Sequence, residues 1–172
     1  MKNQQSQPIE IERKYIIKLP NVSEMEKMPQ YTASDIEQIY LPSEDGETRR
    51  VRKRAYNDRT EYYETVKKRI DAISSIELER AISEREYVKS AAQIADGSRP
   101  IIKRRHTFLY KERTIEIDIY PEWKRSCIME IELPDRSAVI ELPEIVEIVK
   151  EVTGIRGYSN ADMARAFPEE II

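Results

Sequence analysis

Polar and apolar side chains alternate along most of this chain, and the alternation has the two-residue period of β-strands. Over residues 9–18, Ile9, Ile11 and Tyr15 take one face while Glu10, Glu12 and Lys14 take the other. The same period returns over 36–41, 48–55, 61–68, 76–82, 100–109, 114–120 and 127–133, which predicts eight strands. Turn chemistry separates them: Leu19-Pro20, Pro42 followed by Ser43-Glu44-Asp45-Gly46, Asn57-Asp58 and Lys111-Glu112. Reverse turns of this kind join antiparallel neighbours. Four segments predict helix. Residues 21–29 hold one turn or two, capped by Ser23, and Ser83-Glu84-Arg85-Glu86 is a capping box that starts a helix reaching about 95, where Asp96-Gly97 stops it. Residues 143–152 read as an amphipathic helix ended by Gly154, and Asn160 caps a last helix through Phe167. Residues 1–7 are a polar lead-in.

The charges are sorted by strand. Arg50, Arg52 and Arg54 share a face, as do Thr65 with Lys67, and Lys103 with Arg105. Glu77 and Glu79 oppose Ile76, Leu78 and Ile82, while Glu116 and Asp118 oppose Ile115, Ile117 and Ile119. Glu130 and Glu132 oppose Met129, Ile131 and Leu133. Like charges two residues apart repel, so this sorting is unfavourable unless opposite charges or a ligand lie between them. One arrangement is an open sheet with an isoleucine core and a wet charged face. The other is a closed barrel with an ionic lumen and helices over its apolar outside, and about eight strands leave room inside for one small ligand. In the barrel, Lys14, Arg50, Arg52, Lys67, Lys103 and Arg105 supply cations, and Glu10, Glu12, Glu77, Glu79, Asp118, Glu130 and Glu132 supply carboxylates. The cations suit a long, densely negative ligand, and the carboxylates need a divalent metal between themselves and that ligand. A polyphosphate with metal meets both demands.

Composition narrows the chemistry. At 172 residues the chain predicts one domain over 1–172. It is 35% charged with a formal net charge of -3, a balance that does not favour general nucleic-acid binding. His106 and Cys127 are the only histidine and cysteine, so a zinc site of Cys/His type cannot be assembled, and both read as structural. Any metal is held by oxygens, which points to Mg2+ or Mn2+. The single cysteine fits a reducing cytoplasm, and no apolar run is long enough for a signal peptide or membrane span.

Taken in order, these motifs resemble the CYTH superfamily, also called triphosphate tunnel metalloenzymes, over nearly the whole chain. The E-x-E-x-K signature is Glu10-Ile11-Glu12-Arg13-Lys14, and R-x-R is Arg50-Val51-Arg52. Thr65-Val66-Lys67 resembles T-x-K and Lys103-Arg104-Arg105 resembles K-x-R, with Glu116-Ile117-Asp118 and Glu130-Ile131-Glu132 as the late acidic strands. Ile39, Ser75 and His106 stand where members often carry glycine, arginine and tyrosine. The resemblance implies an α+β fold built on a closed eight-stranded antiparallel tunnel, and metal-dependent hydrolysis of a triphosphate, inorganic triphosphate first. Lys14, Arg52 and Glu12 are the expected catalytic residues, the six cations the phosphate ligands, and the seven carboxylates the metal set. A class IV-type adenylate cyclase, a thiamine or nucleoside triphosphatase, and a non-catalytic binder of polyphosphate or nucleotide are the alternatives. A homodimer is the assembly that the resemblance suggests.

Overall fold

The computed structural model describes residues 8–172; the polar lead-in, 1–7, lies outside them. Among the described residues the elements run β1 (Ile9–Lys18), α1 (Val22–Met25), β2 (Thr32–Leu41), β3 (Glu47–Tyr56), β4 (Arg59–Arg69), β5 (Ser74–Ala81), α2 (Glu84–Ala91), β6 (Ile101–Tyr110), β7 (Arg113–Ile119), β8 (Ser126–Glu132), β9 (Ile148–Glu151) and α3 (Asn160–Arg165). The strands pair in the order β5-β4-β3-β2-β6-β7-β8-β1, and β1 returns to β5, closing an eight-stranded antiparallel barrel. No helix among the described residues is long and apolar enough to cross a membrane.

Closure rests on a short seam. Ile9, Glu10 and Ile11 pair with Ile76, Ser75 and Ser74, and Glu12 donates its N–H to the Ile73 carbonyl at 3.0 Å. Beyond this point β1 leaves β5, and β9 takes the freed edge through Tyr15, Ile16 and Ile17. An uncovered edge would present unpaired backbone groups, which β9 satisfies.

Directly opposed residues share a face, so the register sorts inside from outside. Outward-facing Ile17, Phe108, Ile115, Ile117, Met129 and Ile131 pack under Met25 of α1 and under Ala138, Ile140, Leu142, Ile145 and Val146 of the segment after β8. Ile39, Leu41 and Val51 pack under Tyr87 of α2. The lumen has its own apolar end. Inward-facing Ile16, Tyr40, Ile101, Tyr120 and Ile128 meet Met163 and Ala164 of α3, with Trp123 and Phe167 edge-on to Tyr120. Each of the large side chains there stabilises the plug by about 1.5–3 kcal/mol.

The eight strands and their faces follow the sequence pattern, with differences elsewhere. In place of the predicted helix over 143–152, a turn at Glu144–Ile145 leads into the short strand β9. Ile145, Val146, Ile148, Val149 and Val152 of this segment are β-branched, and the free edge of β1 offers ladder bonds that a helix could not accept. Asn21 rather than Ser23 caps α1, because its Oδ1 accepts from the Ser23 N–H at 3.0 Å. Ser159 rather than Asn160 caps α3, accepting from the Asp162 N–H at 3.0 Å, while Asn160 Oδ1 accepts from the Tyr120 hydroxyl at 2.8 Å. The capping box of α2 is present, but that helix ends at Ala91, and Ala95 N–H bonds to the Tyr40 carbonyl at 2.9 Å. The third helix closes one end of the barrel instead of lying on its outside.

Gly154 joins β9 to this plug. Its φ is +69°, and an added Cβ would lie 2.9 Å from the Ala72 Cβ and 3.1 Å from the Ala72 Cα in the β4–β5 hairpin. Gly154→Ala should therefore lower the urea unfolding free energy by about 2–3 kcal/mol, combining positive-φ strain with the backbone contact. Gly46→Ala, at φ +80° in open space, should lose about 1 kcal/mol. Equal losses in the two variants would show that the Ala72 contact contributes nothing.

Candidate active site

Pairing across the barrel brings the charged faces together. Lys14 lies opposite Glu130, Glu12 opposite Glu132, and Glu130 opposite Glu116. Arg105 lies opposite Asp118, Arg50 opposite Thr65, Thr65 opposite Glu79, and Lys67 opposite Glu77. All of these but Thr65 and Asp118 line a cavity of about 650 Å³, walled at the plugged end by the segment from Val152 to Asp162.

Three charge groupings divide it. At the base, Asp118 accepts from Lys103 Nζ at 2.6 Å and from Arg105 Nε and Nη2, each at 2.7 Å. Arg105 also reaches Glu130 at 3.1 Å and bonds Glu116, and Glu130 accepts from Lys14 at 2.7 Å. Burial opposes ionisation of Glu130, but Lys14 and Arg105 overcome it and hold the carboxyl well below its ordinary range. Burial works against charge on Lys103 too, and there it wins with help from neighbouring Arg105, drawing the ammonium below its usual range.

On the acidic wall, Lys67 Nζ lies 2.9 Å from Glu10, 3.3 Å from Glu12 and 3.4 Å from Glu77. Burial raises the Glu10 pKa to about 7 against the pull of Lys67, with Glu77 and Glu12 adding to the rise. One ammonium thus leaves this wall with excess negative charge. Its carboxylates offer only oxygen donors, which suit a hard divalent cation. Among the described residues, no three such side chains converge closely enough to grip an ion by themselves; these three converge on Lys67 instead.

The basic wall has the opposite imbalance. Arg50 meets Glu77 at 3.3 Å and Arg52 approaches Glu79 at 4.0 Å, yet both Nε atoms are buried without a hydrogen-bond partner. Burial lowers the Arg52 pKa to about 10, with Arg50 and Arg105 contributing. A buried guanidinium short of acceptors favours an anion.

Eleven of the residues singled out from the sequence line the cavity: Glu10, Glu12, Lys14, Arg50, Arg52, Lys67, Glu77, Glu79, Arg105, Glu130 and Glu132. Lys103 and Asp118 do not. Their side chains are 0% and 1% exposed, locked together under Arg105, where they hold its guanidinium toward the cavity. Their alternation is correct, but the inward-facing plug covers their depth of the lumen. Glu116, Arg54 and Tyr40 line the cavity although not among the candidate site residues; Glu116 and Arg54 share parity with Asp118 and Arg52, which is the signal that could have found them. The Val152–Asp162 wall carries no such signal, since tertiary packing alone brings it to the lumen.

This closed, ion-lined tunnel can be set beside known proteins. No protein-family profile matches the chain. It is 33% identical over 117 residues to an inorganic triphosphatase of Acetivibrio thermocellus, spanning 67% of this chain and 71% of that protein. Its fold is similar to that of the inorganic triphosphatase NE1496, with a TM-score of 0.59 at 23% identity, covering 93% of this chain and 97% of the other. PH1819 from Pyrococcus horikoshii OT3 has a TM-score of 0.59 at 22% identity, covering 74% and 80%. The chain belongs to the CYTH, or triphosphate tunnel metalloenzyme, superfamily.

The acidic wall gives a stability test. With its pKa raised from 4.5 to about 7, Glu10 keeps in the fold a proton that the unfolded chain releases. Its ionisation therefore destabilises the fold increasingly as pH rises from about 4.5 to about 7, and by a constant amount above. In EDTA, Glu10→Gln should gain stability relative to the parent across that window, by about 1–3 kcal/mol between pH 4.5 and pH 8 in urea titrations. A difference that does not change with pH would mean that Glu10 titrates in the fold as it does in the unfolded chain.

Proposed function

We propose that this protein hydrolyses inorganic triphosphate to orthophosphate and pyrophosphate, with Mg2+ or Mn2+ held by the acidic wall. The observation that carries this reading is the split cavity: the Nε atoms of Arg50 and Arg52 lack acceptors on one wall, and Glu10, Glu12 and Glu77 crowd a single ammonium on the other. A triphosphate satisfies the first wall and a divalent cation the second. The Acetivibrio thermocellus relative, named an inorganic triphosphatase, supports the same substrate.

Arg50, Arg52, Lys67 and Arg105 bind the phosphate oxygens, and Lys14 and Arg52 stabilise the charge that builds on the transferring phosphoryl group and its leaving oxygen. Glu10, Glu12, Glu77 and Glu132 would hold the cation, which supplies charge neutralisation when bound. Glu130 and Glu116 stay committed to Lys14 and Arg105, fixing the angle at which those cations meet the substrate. Glu79 accepts from Thr65 at 2.7 Å and keeps a carboxylate facing Arg52. Lys103 and Asp118 act through Arg105 as positioning residues. No protein nucleophile is required, because water attacks the terminal phosphorus and the pyrophosphate departs from the opposite side. The lone buried thiol and near-balanced charge support a cytoplasmic setting without nucleic acid as partner.

Orthophosphate release from inorganic triphosphate, ATP and thiamine triphosphate, measured with Mg2+, Mn2+ or EDTA, tests the proposal. Cation-dependent release fastest with inorganic triphosphate is expected; cyclic AMP with pyrophosphate from ATP would instead identify a cyclase. Silence with every substrate would reject hydrolysis.

Arg52→Ala should lower kcat/KM by about 100-fold, the loss typical of removing one transition-state donor, with its thermal melt near that of the parent. Glu12→Gln should raise the cation concentration needed for half-maximal rate. Full activity in Arg52→Ala with every triphosphate would remove the basic wall from the reaction.

A further inference from the structure

Lys67 has more partners than one ammonium can keep once the cavity fills. It stands on β4 opposite Glu77, and its Nζ is within 3.4 Å of carboxylates from β1 and β5. These are the side chains that the proposed function gives to the cation. Glu77 also lies 3.3 Å from Arg50, so the acidic wall touches the basic wall through this one carboxylate. A lysine carries a compact charge on a flexible four-carbon stem.

Resting on that reading of the site, we infer that Lys67 is a shuttling counter-ion. In the empty cavity it is the shared counter-ion of Glu10, Glu12 and Glu77, and a divalent cation that takes those carboxylates releases it to an oxygen of the triphosphate. Two consequences follow from charge alone. A cation binding by itself must displace an ammonium already in contact with its ligands, and a triphosphate binding by itself must draw Lys67 from three carboxylates. Each ligand arriving second finds that step complete. Cation and anion therefore bind with positive coupling, and the coupling runs through Lys67. The cavity stays closed to either ligand at low concentration and fills with both.

The test is binding of Mn2+ to EDTA-stripped protein without phosphate, followed by the electron paramagnetic resonance signal of the free ion. Lys67→Met should bind Mn2+ about tenfold more tightly than the parent, because a competing unit charge about 3 Å from the ligands is gone. Arg52→Met also loses one cavity cation, but not one in contact with Glu10 or Glu12, and should shift the affinity by less than about threefold. Saturating sulfate, corrected for its weak complexation of Mn2+, should strengthen Mn2+ binding to the parent about fivefold and leave Lys67→Met unchanged.

Equal or weaker Mn2+ binding by Lys67→Met, in a parent that binds Mn2+ and splits triphosphate, overturns the shuttle and leaves the proposed function standing. Absence of Mn2+ binding in both proteins overturns the shuttle together with the cation site. If Lys67→Met fails to fold, Lys67→Gln replaces it, and the sulfate measurement needs only the parent: no strengthening there overturns the coupling.

Discussion

Closure of the sheet on itself is the constraint from which the rest of this structure follows. Eight strands turned into a barrel give each alternating strand an inside and an outside, and here the ionic face turns in. Inside, the effective dielectric is lower than in bulk water and the attraction between charges is stronger, so each charge favours a partner or a ligand. The base of the lumen solves this internally, with Lys103, Asp118, Arg105, Glu130 and Lys14 in one connected chain. Higher up the pairing is incomplete, and that incompleteness makes the site. Arg50 and Arg52 retain unpartnered donors while Glu10 shares Lys67 with two other carboxylates.

The seam that performs this closure is short, because β1 serves two neighbours on one edge. Its first residues hold β5 and its later ones hold β9. The same strand therefore closes the tunnel, places Glu10, Glu12 and Lys14 in the lumen, and anchors the segment that walls its end. Gly154 lies where that segment presses on Ala72 of the β4–β5 hairpin, so the wall and the seam are mechanically joined. A lumen closed at one end by Tyr120, Met163 and Phe167 is a pocket with a direction: apolar at the plug, ionic above it. Buried in that way, charges act on a ligand with little screening, which favours a small, highly charged substrate over a neutral one.

Much of this was legible in the alternation alone. Glu10, Glu12 and Lys14, or Arg50 and Arg52, lie two apart, and a strand has no freedom to point such residues to different faces. Their co-location across strands followed from the unfavourable sorting of like charges, which closure relieves. The segment over 143–152 has apolar positions that fit a helical stripe as well as a buried edge strand. The deciding term was the free edge of β1, far away in sequence. Asn21 and Ser159 displaced the expected caps for a local reason, since each neighbouring pair offered two competent oxygens and backbone geometry selected between them.

The sequence by itself determined the eight strands, the two faces of each and the inventory of cations and carboxylates, because period-two patterning acts between residues near in the chain. Only the tertiary structure decided depth. It put Lys103 and Asp118 under a plug while Arg105, two residues from Lys103, faces the cavity. It made Lys67 the shared partner of Glu10, Glu12 and Glu77, and brought the Val152–Asp162 segment to the tunnel wall. Those outcomes depend on strand tilt and barrel closure, which set distances between residues on different strands, as far apart in the chain as Glu10 and Lys67, and leave no periodic trace in the sequence.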